Sequence, residues 1–380
     1  MSSHADEDAP RVTTLELFFD LVFVFTITQL TSVLFGSPNV RGIARVVVML
    51  AVIWWMYGGY VWMTNAVRAN TDARRLLLLG GMGGFFVVSL AIPSAFAGSG
   101  LAFALAYLVV VLVHSVLFTR ATELSAARAI LTLAPYNLAA ALVVVAGGAI
   151  GGRTQFVVWA AAAVFEWLTP WIRGTKGFVI AAAHFVERHA LVVIVAIGES
   201  VVAIGFGTST LPIDAALVGV ALLGLALSTC LWWMYFSGHE GRGEHALATL
   251  PVAERAWASL VAFGYWHMAI LFGILAIASV EREAAEHPFT AISWARAVIL
   301  AVGAAAYCFG NALFRRTLRL DGARSRVLAG VVALATAPLG ALTWPTAQLA
   351  ALVAVLVLSF VAESYASPRS ASPPPKSAAA

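Results

Sequence analysis

The sequence predicts an all-α integral membrane protein of about twelve transmembrane helices, built as two parallel six-helix repeats with both termini cytoplasmic. Three observations predict it. Of the 380 residues, 61% are hydrophobic and only 11% charged, and the mean hydropathy is +0.90, outside the soluble range. Apolar runs of about twenty residues recur, each long enough at ~1.5 Å per residue to cross a ~30 Å hydrocarbon core. They lack the alternation of an outer-membrane barrel, so helices are the spans expected. Finally, the tetrapeptide Trp-Trp-Met-Tyr occurs twice, at 54–57 and 232–235.

Taken in order, span 1 covers 14–35 behind a polar, acidic start too unlike a signal peptide to be cleaved. It ends at "FGSPN", and span 2 follows over 43–64. Spans 3 and 4, 76–97 and 101–119, are parted by "AGSG", spans 5 and 6, 128–147 and 154–172, by "GGAIGGR". Spans 7 and 8, 189–208 and 214–236, are parted by "TSTLPID". Each break is rich in residues that favour turns. Span 9 is expected over 257–280, span 10 over 292–314, and spans 11 and 12 over 327–343 and 346–362. Only Trp344 and Pro345 part the last two, which leaves a ten-span count open.

Lysine and arginine set the direction. With the N-terminus inside, eighteen of the 23 basic residues fall on the cytoplasmic side; Arg41, Arg45, Arg153, Arg282 and Arg296 remain outside. This is a positive-inside bias, and it supports an even count. The calculated pI of 9.3 reflects those loops, and no nucleic-acid partner is expected. Shifting the chain by about 178 residues lays span 1 on span 7 and span 2 on span 8, and sets Asp20 opposite Glu199 within a residue. Span 4 ends in "LFTR" and span 10 in "LFRR". The expected organisation is a cytoplasmic tail over 1–12, one repeat over 13–172, a linker and second repeat over 173–363, and a disordered Pro/Ser/Ala-rich tail over 364–380. Six crossings return the chain to its starting side, so the repeats share one orientation.

The stretch "LELFFDLVFVFTITQL" places Glu16 and Asp20 four residues apart at the start of span 1. Charge inside a bilayer is costly, so such residues face protein or water and need partners. At ~100° per residue Thr13, Glu16, Asp20 and Thr31 share a stripe, whereas Gln29 points away. Glu199 falls about ten residues into span 7, near mid-bilayer, with Ser200 beside it. Every basic side chain lies in an expected loop or at a span end, and Arg188 is about three turns from Glu199 along the same helix. Glu199 is therefore expected to be protonated, hydrogen-bonded, or met by a cation from solution. Glu166, His114 and His267 are the other ionisable groups expected within spans; either histidine could titrate or donate to a carboxylate, and each alone serves equally as a structural hydrogen bond. Asn65, Asn137 and Asn311 suit interhelical hydrogen bonds, and Gly80, Gly81, Gly83 and Gly84 suit close helix approach.

Other signals carry little. "GHEGRGEH" at 238–245 lacks metal-protease spacing and reads as a solvated loop. "EREAAEH" at 281–287 reads as an external acidic loop. The two cysteines fall inside spans, where they behave as small apolar side chains. No catalytic constellation is found, and no metal or cofactor is expected.

"LELFFDLVFVFTITQLTSVL", "VERHALVVIVAIGESVVAIG" at 186–205 and "GYWHMAILFGILAIASVEREAAEHP" at 264–288 resemble the bacterial low-temperature-requirement A (LtrA) family, from about residue 11 to 363. That resemblance singles out Glu16, Asp20, Glu187, Arg188, Gly198, Glu199, Ser200 and His267, and it implies a membrane protein linked to growth in the cold without implying a chemistry. A looser similarity is to the six-plus-six-span endolysosomal potassium channels with a Phe-Ser-Asp motif: "FFD" at 18–20 has Phe19 in place of the serine, and span 7 carries "GES". The resulting expectation is a bacterial inner-membrane protein that moves a proton or small monovalent cation, or couples one to a solute, along spans 1 and 7. Glu16 and Asp20 would form its cytoplasmic mouth, and Glu199 its mid-membrane acid. The rival expectation is a sensor or assembly factor without transport. Lipids are the expected partners, and oligomers are not excluded.

Overall fold

A computed structural model describes residues 12–67, 69–120, 124–208, 212–237 and 240–366. The expected 1–12 tail, apart from residue 12, and the expected 364–380 tail, apart from its first residues, lie outside them, as does His239 of the "GHEGRGEH" segment. Among the described residues twelve helical segments are long and apolar enough to cross a membrane, and there is no strand.

The first six spans are α1 (Thr14–Gly36), α2 (Val40–Ala66), α3 (Asp72–Ala91), α4 (Gly100–Phe118), α5 (Leu124–Ile150) and α6 (Gly152–Arg173). A short 3-10 turn, Ile92–Ser94, extends α3. Next come α7 (Ala182–Thr208), α8 (Ala215–Phe236) and a short helix α9 (Glu240–Thr249). The ninth span is composite: α10 (Val252–Ser259), a π-helical segment Leu260–Trp266, and α11 (His267–Glu286). α12 (Trp294–Thr317) is the tenth. The eleventh is broken into α13 (Ala323–Leu334) and α14 (Ala337–Leu342) at Pro338, whose missing N–H cannot continue the ladder. α15 (Pro345–Ala366) is the last, and it starts at Pro345, where a proline costs no helical hydrogen bond. The ten-span count is thereby excluded.

Several boundaries shift by a few residues from the sequence reading, and three departures place helix in polar sequence that bears on the site. Residues 281–286 are the last turns of α11, not an external loop. Buried Ile274, Ala278, Glu281 and Ala285 prolong one face of that helix at helical spacing, and Arg282 pairs with Glu286 one turn on at 3.3 Å. Residues 240–249, including Glu244 and His245, form α9 instead of a loop. Lastly, α7 begins at Ala182, seven residues before its expected start, so Arg188 lies within the helix.

The interior is organised around α1, α2, α7 and α11. α1 packs on α2, α3, α7 and α11, and α7 packs on α2, α8 and α11 as well. α5, α8 and α15 turn Leu142, Leu222 and Leu358 outward, as expected of surfaces that meet lipid. Of the four glycines in α3, Gly81 and Gly84 are in contact: a Cβ at Gly84 would sit 2.8 Å from Val110 of α4, whereas Gly80 and Gly83 face open space. Two crossings are tight: a Cβ at Gly148 of α5 would lie 2.5 Å from the Gly100 carbonyl oxygen of α4, and one at Gly273 of α11 would lie 2.7 Å from the Gly303 carbonyl oxygen of α12. Close backbone approach at small residues is the usual means of helix association in lipid.

Candidate functional site

The chemistry-bearing residues converge on the seam between α1 and α7. Contacts that rise together along both helices make them parallel: Glu16 with His184, Asp20 with Arg188, Thr28 with Glu199. Both helices start at the end of the bundle where most Lys and Arg residues gather, the Arg-rich end.

At that end the local sequence builds a cap and a counter-ion together. Thr13 caps α1, and the Glu16 side chain returns to the Thr13 N–H at 2.8 Å, a capping box. The other Glu16 oxygen meets His184 Nε2 at 2.9 Å and Arg188 at 3.2 Å. Arg188 reaches Asp20 at 2.6 Å, and the Tyr57 hydroxyl donates to the same Asp20 oxygen at 2.8 Å. Asn65 lies 3.3 Å from His184 Nδ1 and donates to the Ala181 carbonyl at 3.1 Å, which ties α2 to the start of α7. Glu187 accepts from the Val12 N–H at 3.3 Å. Arg188 is only 1% exposed. In such surroundings a guanidinium persists only with carboxylates beside it.

This corrects the expectation that every basic side chain lies in a loop or at a span end. Glu16 and Asp20 are not unpaired acids at an open mouth; Arg188, about six residues inside α7, occupies the space between them. The physical reason is compensation: two carboxylates on α1 allow the polar first turns of α7 to be buried. Arg315 and Arg326 repeat the lesson, since both are buried and both pair with Glu363 of α15, at 3.2 and 2.7 Å.

Glu199 is different. It is 4% exposed, accepts from the Thr28 hydroxyl at 2.5 Å, and among the described residues no basic side chain forms an ion pair with it. It stands about seventeen residues after the start of α7 and nine before its end, beyond the expected mid-depth and towards the Arg-poor end. Between Asp20 and Thr28 lie about 12 Å of helix at ~1.5 Å per residue. Phe23, Ile27, Val192 and Ala196, all sealed from solvent, fill that interval. Ser200, also buried, turns towards α11 and approaches Glu281 without closing a well-formed hydrogen bond.

Glu281 is the acid that the sequence reading missed. It is 1% exposed, and neither of its carboxyl oxygens has a hydrogen-bond partner. It lies beneath Gly224 of α8, where a Cβ would come within 3.5 Å of it. Its signal was the apolar face of α11 continuing past residue 280. His184 was missed as well, although its signal was plain: His184 and Arg188 are four residues apart, matching Glu16 and Asp20.

The remaining candidates lie apart from the seam's carboxylates. His267 is held by the Tyr235 hydroxyl at 2.7 Å and the Ala262 carbonyl at 2.9 Å, with the His189 ring 5.4 Å away. His114 bonds the Gly59 carbonyl at 3.1 Å. Neither histidine meets a carboxylate, contrary to one of the expectations for them. Glu166 accepts from Tyr107 at 2.7 Å, linking α6 to α4. Asn137 accepts from Trp55 at 3.2 Å.

The arrangement thus combines an ion-paired layer at the Arg-rich end with two buried acids on α7 and α11, Glu199 and Glu281, that no cation among the described residues compensates; Glu166, held by Tyr107 away from the seam, is a third. Carboxyl groups so placed can hold and release a proton, since the charged form lacks a partner.

Comparison with known proteins agrees with this membrane architecture. An uncharacterized protein of Rhizobium meliloti (strain 1021), RA0937, is 28% identical over 296 residues, covering 74% of this chain and 71% of that protein. No solved structure matches. The family model described as bacterial low temperature requirement A protein (LtrA) matches residues 11–361. Nearly the whole twelve-helix bundle therefore lies within that match, and the chain belongs to the LtrA family.

Proposed function

We propose that this multi-pass membrane protein moves a proton through the bundle, with Glu199 and Glu281 as the groups that carry it and the α1/α7 seam as its scaffold. The observation that carries the reading is Glu199, a buried carboxyl held only by the Thr28 hydroxyl, with a second uncompensated acid on the neighbouring α11. A proton suits the site better than a potassium ion. Arg188 lies between the two acids at the Arg-rich end and offsets part of their charge, so they are not free to gather cations, and among the described residues the hydrogen-bond partner of Glu199 is a single hydroxyl, that of Thr28, where a dehydrated potassium ion needs several oxygens. The reading assigns no enzymatic step.

It places the protein in the bacterial inner membrane with both termini cytoplasmic, following the distribution of Lys and Arg. It also takes the two six-span halves as parallel repeats. What supports the duplication is recurrent packing: α1 on α3 and α7 on α11, α3 on α4 and α11 on α12, α2 on α6 and α8 on α15. Two buried glutamines add to it: Gln155 near the start of α6 donates to the Ala95 carbonyl and Gln348 near the start of α15 to that of Ala297, at 2.7 and 2.8 Å.

The test is proton flux into liposomes carrying a pH-sensitive dye. Wild-type protein should exceed empty vesicles under an imposed gradient, and Glu199→Gln should abolish the excess, as should Glu281→Gln. Flux from the double variant equal to that of wild type would remove both acids from the mechanism. The second reading, a membrane sensor or assembly factor tied to growth in the cold, draws on the sealed apolar interval between Asp20 and Thr28. Wild-type flux at the level of empty vesicles, with a cold-growth defect on deletion of the gene, would favour it.

A further inference from the structure

Away from the acids, a cleft of about 90 Å³ opens among α2, α4, α5, α6, the first turns of α7 and the π-helical segment. Its walls include the indoles of Trp54, Trp55, Trp62 and Trp167 and four polar side chains, His114, Asn137, Thr175 and His189, of which the first two are bonded to α2. Its mostly apolar lining with a few polar groups is that of a small-molecule site. Three of the indoles have their N–H groups committed: Trp54 to the Gly264 carbonyl at 2.9 Å, Trp55 to Asn137 at 3.2 Å, Trp167 to the Ala51 carbonyl at 3.1 Å. They therefore present flat hydrocarbon to the cleft, the surface that stacks on a planar ring. Gly264 belongs to the π-helical segment, a geometry that recurs at functional sites.

The two polar groups bonded to α2 define what the ring must carry. His114 is 2% exposed. Its Nε2 faces the Gly59 carbonyl, which can only accept, so in the neutral ring Nε2 bears the hydrogen and Nδ1 is an acceptor. That Nδ1 is buried and without a partner, an arrangement that costs free energy unless a donor fills it. Asn137 uses its carbonyl oxygen for Trp55, which leaves its amide group as a donor. Between them His114 and Asn137 offer one acceptor and one donor among the indoles.

We propose that this cleft binds a lipophilic ring bearing a free hydroxyl group, of the phenol or hydroquinone class. The hydroxyl donates to His114 Nδ1, an oxygen of the same ring accepts from Asn137, and the indoles enclose the ring faces. A saturated acyl chain would fill the space but satisfy neither polar group. The inference does not rest on ion movement along the α1/α7 seam, and its assay reads no flux.

The experiment titrates the full-length protein in detergent with a decyl-substituted hydroquinone, followed by tryptophan fluorescence. Two controls flank it: the corresponding quinone, which has lost the hydroxyl hydrogens, and decanol, which has a hydroxyl but no ring. Saturable binding is expected for the hydroquinone, at least about tenfold weaker for either control, a difference of ~1.4 kcal/mol. His114→Phe and Asn137→Leu should each weaken hydroquinone binding by a similar factor while the thermal midpoint stays near that of wild type. Absence of saturable binding, decanol binding as tightly as the hydroquinone, or both variants binding like wild type would overturn the proposal. Should His114→Phe fail to fold, the comparison of hydroquinone with quinone on wild-type protein decides the role of Nδ1.

Discussion

Arg188 holds two carboxylates a helical turn apart, and Glu199 holds none of the opposite charge. The two should respond to substitution in opposite ways. Arg188→Gln leaves Glu16 and Asp20 buried without their cation, a change that costs ~3–5 kcal/mol in comparable pairs; a marked drop in the thermal midpoint in detergent is expected. Adding Asp20→Asn should recover part of the loss, because coupled residues do not add. Glu199→Gln keeps an acceptor for Thr28 and removes no ion pair, so its midpoint should stay within the equivalent of ~1 kcal/mol of wild type, even as proton flux is lost. The inward stripe of α1 was legible: Glu16, Asp20 and Thr31 are all buried. Their partner was not, because a single chain shows where a side chain points along its own helix and nothing of the helix beside it. The shared four-residue spacing of Glu16/Asp20 and His184/Arg188 is the feature that links the two.

At the scale of elements, hydropathy located all twelve spans, and it failed where polar residues are buried in pairs. The start of α7 was set too far inward for this reason, and the end of α11 because Glu281 is buried without a partner and Arg282 and Glu286 pair at the surface. The same effect holds the last helix: Glu363 of α15 accepts from Arg326 through both oxygens, at 2.8 and 2.7 Å, and from Ser325 at 2.6 Å. Glu363→Ala strips Arg326 of its carboxylate, and hydrogen exchange should rise along 345–366 well before it rises in α1 or α7. Helix approach gives a further contrast. Gly273→Val must push α11 from α12, since even a Cβ there would lie 2.7 Å from the Gly303 oxygen; a loss of several kcal/mol is expected. Gly205→Ala meets nothing within 4 Å and should be neutral or slightly stabilising in α7, by thermal melts of both variants.

For the whole molecule, the proposed direction of insertion rests on charge alone and can be checked without rebuilding the protein. Both native cysteines, Cys230 and Cys308, are buried, so one introduced cysteine should dominate labelling by an impermeant maleimide. Lys176→Cys should react only once the inner face of the membrane is opened, and Arg153→Cys from the outside of intact cells; the reverse result would invert the topology. Trp-Trp-Met-Tyr and the pairing of spans are what the sequence offers for the proposed duplication, whereas the cleft among the indoles was invisible, since its walls come from helices far apart in sequence. The reach of Arg188 to successive rungs of α1 also has a mechanical side. If α7 slid along α1 by about one turn, some 5 Å, the guanidinium would exchange one carboxylate for the other and never lack company. Pulling the two helices apart would strand it. Of the two displacements, a short axial slide is therefore the one this ion-paired contact would tolerate, and separation the one it would resist.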